Sequence, residues 1–204
     1  MFQLPTQQTF KDAYAGEAPW DIGQPHAPFL AVAEQIVSPV LDAGCGTGDA
    51  SLFFAARGHQ VAGIDFLDEP IRRARAKAAE RGLSADFRVA DALALSQSNE
   101  RFNTILDSGL FHVFSDDDRR RYVQGLAHVL NPGGRLFLMC FSNEEPGTQG
   151  PRRITQEELY AAFATGWEIE SLQPAPFEIN PKFTGATFSD GGPKAWFASI
   201  RRHE

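Results

Sequence analysis

Short apolar runs alternate along this chain with segments whose apolar residues recur at helical spacing. The runs predict strands over 40–42, 60–65, 86–90, 102–106 and 135–141. The segments between them predict helices over 48–57, closed by Gly58, and over 69–81, with Pro70 in the first turn and Gly82 past the end. A third helix is predicted over 116–130 behind Ser115, and Asp68 is placed to cap the second. Asn131-Pro132-Gly133-Gly134 reads as the turn into strand 135–141. Upstream, apolar residues at helical spacing run from Phe29 to Val37, between Pro28 and Pro39.

The pattern changes after residue 141. Thr155-Gln156-Glu157-Glu158 is a capping box for a helix over 156–164, stopped by Gly166. A strand over 167–172, or an irregular one reaching Phe177, and a last strand over 195–201 follow with no helix between them. They predict an antiparallel hairpin at the sheet edge. The expected fold class is α/β: a doubly wound, mostly parallel sheet covered by helices on both faces. Residues 1–204 are read as a single domain, with a polar, aromatic-dotted lid over 1–25 and a core fold over 26–201. The connections 142–154 and 180–194 exceed the usual length and are read as functional lids.

The densest chemical signal is Val40-Leu41-Asp42-Ala43-Gly44-Cys45-Gly46-Thr47-Gly48-Asp49. A buried strand ends in an acid, turns tightly and feeds a helix. Asp65 ends the next strand, where a ribose would be gripped. The spacing is G-x-G-x-G, and Asp49 stands where a dinucleotide fingerprint needs its third glycine. A carboxylate there opposes a pyrophosphate, and no lysine or arginine follows closely in sequence. No Gly-Lys-Ser/Thr is present, which removes the P-loop reading. A cationic, phosphate-free headgroup agrees better with Asp42 and Asp49.

Composition narrows the partners. The 204 residues carry 19 basic and 26 acidic side chains, a net charge of −7. That balance argues against a nucleic-acid groove. No apolar run approaches a membrane span and no secretory signal is read, so a cytoplasmic protein is expected. Two cysteines and five dispersed histidines predict neither a disulfide framework nor a metal centre. Ser115-Asp116-Asp117-Asp118 reads as a helix start rather than a metal site.

The order Asp42-x-Gly-x-Gly-x-Gly, Asp65, Asp91-Ala92, Asp107, Asn131-Pro132-Gly133-Gly134 resembles the class I S-adenosylmethionine-dependent methyltransferases. The resemblance implies a seven-stranded sheet with an antiparallel last strand. Ala18-Pro19-Trp20-Asp21-Ile22-Gly23-Gln24-Pro25 is similar to the segment preceding the fold in thiopurine, thiol and halide methyltransferases. Leu106 to His112 and Gln149 to Ile154 resemble segments of mycobacterial relatives that methylate heterocyclic toxins and quinolones.

The resemblance implies S-adenosylmethionine bound by the turn Gly44, Cys45, Gly46 and Gly48 behind Asp42. Asp65 would take the ribose hydroxyls, Phe66 the adenine face, and Asp91 with Ala92 the adenine edge. Trp20 and Gly23 would cover the methionine end, and Asp107 would close the cofactor side. The structural alternatives are helix capping for Asp65, a turn role for Asp91 and core packing for Trp20. Tyr14, Ser108, Phe111, His112, Arg152 and Phe183 are the candidates for the acceptor pocket, with Phe114 and Phe188 as further aromatic walls or core residues. His112 is the residue best suited to remove a proton near neutral pH, and equally suited to be a polar wall. Arg152 and Arg153 would hold an anionic acceptor or form surface ion pairs.

The expected reaction is methyl transfer to sulfur, nitrogen or oxygen of a small, aromatic or heterocyclic molecule, by a monomer or homodimer. RNA or protein methylation, a non-catalytic S-adenosylmethionine-binding module and, more distantly, an NAD-dependent oxidoreductase are the competing readings.

Overall fold

The computed structural model describes residues 4–203; Met1 to Gln3 and Glu204, which the predicted lid and domain include, lie outside the described residues. Seven strands form one sheet in the order β3-β2-β1-β4-β5-β7-β6. They are β1 (Val40–Ala43), β2 (Val61–Asp65), β3 (Asp86–Val89), β4 (Phe102–Ser108), β5 (Leu130–Phe141), β6 (Trp167–Pro176) and β7 (Lys194–Arg202). Pairings among β1 to β5 are parallel, and β7 runs antiparallel to both β5 and β6. The predicted reversed last strand and its edge hairpin are both present.

The helices are α1 (Gln7–Ala15), α2 (Ala27–Ala31), α3 (Asp49–Ala56), α4 (Asp68–Glu80), α5 (Asp116–Val129) and α6 (Gln156–Ala162). Side chains alternate across the sheet, as the two-residue period of a strand requires. Leu136, Leu138 and Cys140 join the cluster containing Tyr122, Leu126 and Val129 of α5. Phe137, Met139 and Phe141 join the opposite cluster with Phe29 and Phe54. Two helical layers therefore bury one sheet, and loops gather at the carboxyl ends of the parallel strands. The chain leaves β1 in one direction for β2 and β3 and returns on the other side at β4. Open α/β sheets bind ligands at such a switch point.

Three expectations change. The segment Phe29–Val37 is a short helix, α2, followed by a 3₁₀ turn over Ala33–Gln35, because Pro28 starts the helix early. The turn 131–134 does not interrupt β5, which keeps its pairing with β4 from Leu130 through an irregularity between Phe102 and Thr104. Helix α1 was not predicted. Its signal is a Thr6–Thr9 capping box with Tyr14 buried one turn beyond Phe10.

Gly48 caps α3 in the left-handed region, at φ 82°. A Cβ there would lie 2.7 Å from Phe87 and 2.9 Å from Ala74. Backbone strain and overpacking add, so Gly48→Ala is expected to destabilise the fold by about 2–4 kcal/mol in urea unfolding. A loss below about 0.5 kcal/mol, the range of an ordinary surface change, would contradict that packing.

Candidate active site

Three carboxylates end adjacent strands, and each captures the start of the segment that follows. At the end of β1, Asp42 Oδ2 accepts the Ser51 N–H at 3.1 Å and its hydroxyl at 2.6 Å, tying the first turn of α3 to the strand. At the end of β2, Asp65 Oδ1 accepts the Leu67 N–H at 2.9 Å and Oδ2 the Gly46 N–H at 3.2 Å. Near the end of β4, Asp107 Oδ1 accepts the Leu110 and Phe111 N–H groups at 2.8 and 3.3 Å, and Oδ2 the Tyr122 hydroxyl at 2.9 Å.

Burial dominates their ionisation. It pushes Asp42 up to about 6, Asp107 up to about 7, and Asp65 upward as well. The bonds from Ser51, Leu110 and Leu67 oppose the shifts only in part, and no ion pair forms at any of the three among the described residues. Buried carboxylates without an ion-pair partner favour positive charge nearby.

Between these acids lies the glycine turn. Gly44 and Gly46 have φ 71° and 53°. A Cβ on Gly44 would meet Leu110 at 3.2 Å, and one on Gly46 would meet the Tyr14 hydroxyl at 2.8 Å. The glycine turn therefore adjoins the 109–112 turn on one side and α1 on the other. Cys45 closes onto β2 through its N–H to the Ile64 carbonyl, at 2.8 Å, and burial raises its thiol well above the usual range.

The N-terminal segment roofs the turn. The Tyr14 hydroxyl accepts from the Trp20 indole N–H at 3.0 Å. Phe10 meets Trp20 and Phe66 edge-on or tilted, with centroids 5.8 and 5.5 Å apart. The roof is latched from the far side of the chain. The Asn180 N–H donates to the Pro19 carbonyl at 2.8 Å, and the Ala27 N–H donates to Glu178 at 2.9 Å. A surface groove of about 460 Å³ opens beside it, lined by Tyr14, Leu67, Lys11 and Arg73 among others. Gly23 sits in an exposed left-handed turn with open space around it. Asp91 is exposed and accepts the Leu93 N–H at 2.9 Å, which caps the 3₁₀ turn begun by buried Ala92.

Several sequence expectations are corrected. Asp107 does not face a ligand with a free carboxylate: both oxygens serve its own turn and Tyr122. Phe111 points into the core, stacked on Phe163 at 5.9 Å under the Arg119 guanidinium. Arg152 is held by Asp116 and Glu158, where it pins α5 to α6. Arg153 binds the carbonyls of Pro151 and Gln149 at 2.7 and 2.8 Å and shapes the loop. Phe183 is half-buried in a separate surface groove with Glu17 and Lys182. Asp49 is not isolated from basic residues, because Lys77 of α4 reaches it at 2.9 Å. A pairing 28 residues apart was invisible to neighbours in sequence.

His112 changes role. The Phe141 N–H donates to its Nδ1 at 3.0 Å, so the neutral ring carries its proton on Nε2. Burial, helped by the charge of Arg153, pushes the ring's pKa down to about 3. With its only lone pair occupied, His112 is a donor rather than a base. Ser108, half-buried, ends β4 just before this turn. Beyond it stands an aromatic box: Phe141 and Phe177, which the sequence reading missed, pack on His112, and Phe188, which it named, packs on Phe141; the Phe141–Phe177 and His112–Phe141 centroids are each 5.2 Å apart. His26 packs on Phe177 at 4.5 Å. Its partner Glu178 lies some 150 residues away, so no local signal marked it.

A methyltransferase domain family matches residues 40–134. Over 96% of its length the chain is 35% identical to the 2-heptyl-1-hydroxyquinolin-4(1H)-one methyltransferase of Mycobacteroides abscessus, covering 89% of that protein. The chain is an S-adenosylmethionine-dependent methyltransferase. It also matches a structure solved in work on conversion of a disulfide bond into a thioacetal group during echinomycin biosynthesis, at TM-score 0.83 and 35% identity, covering 97% of this chain and 93% of that one. The 1,6-didemethyltoxoflavin-N1-methyltransferase of Burkholderia thailandensis shares the fold at TM-score 0.70 and 22% identity, with 97% and 84% covered. In this methyltransferase the glycine cradle and uncompensated acids fit the sulfonium and ammonium of S-adenosylmethionine. No helix among the described residues is long and apolar enough to cross a membrane.

The raised pKa of Asp107 makes a pH prediction. The folded state holds a proton on Asp107 that the unfolded chain releases near pH 4, so this contribution to stability is complete below that pH and is lost as pH rises through about 7. Buried His112 acts oppositely, but only between its folded value near 3 and its ordinary 6.5. Between pH 6.5 and 8 the urea midpoint of the native protein should therefore fall. Asp107→Asn keeps the backbone acceptor and should flatten that slope; equal slopes would refute the assignment.

Proposed function

We propose that this enzyme transfers the methyl group of S-adenosylmethionine to an oxygen, nitrogen or sulfur atom of a small heteroaromatic acceptor. The observation that carries the reading is the adjacency of the glycine turn and the aromatic cluster. Leu110 lies against Gly44 of the cofactor turn, while two residues further on His112 enters the aromatic box. A flat ring seated in that box would face the donor across the 109–112 turn. The quinolone acceptor named for the M. abscessus relative supports the same class.

The cofactor brings an electrophilic methyl on a sulfonium, and the protein's part is alignment and exclusion of water. In this reading the turn Gly44–Gly48 and Asp65 hold the nucleoside and amino-acid parts, with Phe66, Asp91 and Ala92 at the adenine. Asp42 acts from beneath, by fixing the turn. Tyr14 and Trp20 form the lid, which residues up to 25 complete, and Asn180 and Glu178 latch it. His112 Nε2–H donates to an electron-rich atom of the acceptor. The net charge of −7 supports a small molecule over RNA. Two free cysteines, one buried and one half-buried, suit a reducing cytoplasm.

The test is transfer of a labelled methyl group from S-adenosylmethionine to thiols, phenols, hydroxyquinolones and bulk RNA. Label is expected in ring-bearing small molecules, hydroxyquinolones foremost. Label in RNA alone would contradict the proposal.

A further inference from the structure

Two histidines border the aromatic box, and their surroundings give them opposite polarity. His112 presents Nε2–H, because its Nδ1 accepts from Phe141. His26 is only 5% exposed, and its Nδ1 lies 3.3 Å from Glu178 Oε2. The contact is close enough for an ion pair but outside hydrogen-bond alignment, since Nδ1 has no hydrogen-bond partner among the described residues. A lone pair on Nδ1 would repel that carboxylate, whereas an N–H is attracted to it. The proton of His26 therefore belongs on Nδ1, which leaves the Nε2 lone pair free. Burial pushes the pKa of His26 down, and the adjacent Glu178 opposes that shift without cancelling it. The ring is neutral at working pH and able to take a proton.

Position agrees with chemistry. Phe177 is shared by both rings, with centroids 4.5 Å from His26 and 6.1 Å from His112. Phe177 and Glu178 follow the end of β6, and His26 begins α2, so the pair assembles where the latch joins the two segments. Gly109 sits beneath: a Cβ there would stand 3.1 Å from Phe177 and 3.4 Å from His112.

We propose that His26, oriented by Glu178, is the proton acceptor for the methyl acceptor, and that His112 donates to a second atom of the same molecule. The substrate class is then a heteroaromatic carrying an O–H, N–H or S–H group near a hydrogen-bond-accepting oxygen or nitrogen. This rests on the methyl-transfer reading above. The acceptor's proton passes to His26 Nε2. The electron pair left on the acceptor atom forms the bond to the methyl carbon, and the pair of the broken carbon–sulfur bond stays on sulfur.

The tautomers are read directly by nitrogen-15 NMR of the imidazoles in the full-length protein. Protonated Nδ1 is expected for His26 and protonated Nε2 for His112; protonated Nε2 on His26 overturns the proposal. General base catalysis is worth about 10²–10⁴-fold. His26→Gln should therefore lower kcat by about 100-fold or more on acceptors whose pKa lies above the assay pH, and by less than about threefold on acceptors already ionised. Glu178→Gln should show the same selectivity with a smaller loss. Uniform loss across acceptors, or none, in variants that still bind S-adenosylmethionine by calorimetry, overturns the dyad alone. Native protein that takes up no S-adenosylmethionine overturns the methyl-transfer reading and the dyad with it.

Discussion

The site depends on one repeated device: a carboxylate at the end of a buried parallel strand that captures the amide groups of the next segment. Asp42 holds α3, Asp65 holds the glycine turn and the entry to α4, and Asp107 holds the turn that carries His112. Each bond satisfies amides that a segment start would otherwise leave unpaired. The cost is that three acids are buried with no ion-pair partner among the described residues. Two of them have pKa values displaced to about 6 and 7. The fold thus builds its turns and its electrostatic demand for a positive ligand from the same side chains.

That double use explains how far the site could be read from sequence. The strand-ending acids and the glycines are local signals, set by the turn that must follow each strand. So was the sheet, whose strands keep their hydrophobic runs whichever neighbours they find. Asp107 shows the boundary. Its position was legible, but its partners Leu110, Phe111 and Tyr122 show it bracing the turn rather than facing the ligand.

What escaped was set by contacts between distant segments. The aromatic box is assembled from β5, the end of β6 and two turns, and His26 joins it only through Phe177 and Glu178. Helix α1 is mostly polar and is held by a capping box and two aromatics, too weak a stripe to stand out. Arg152 and Phe111 carry residue types that suit a pocket, yet an ion-pair network and a stacked phenylalanine claim them first. The lone pairs of His112 could not be assigned from sequence, since the deciding N–H belongs to Phe141.

The central claim is that the buried acids create a place for positive charge. It is tested most directly by the protons exchanged when donor and demethylated product bind. Calorimetric titration at pH 6.5 in buffers of different ionisation enthalpy counts them. A sulfonium should drive ionisation of the protonated carboxylates, so S-adenosylmethionine should release more protons than S-adenosylhomocysteine. Equal proton counts for the two ligands would contradict the account.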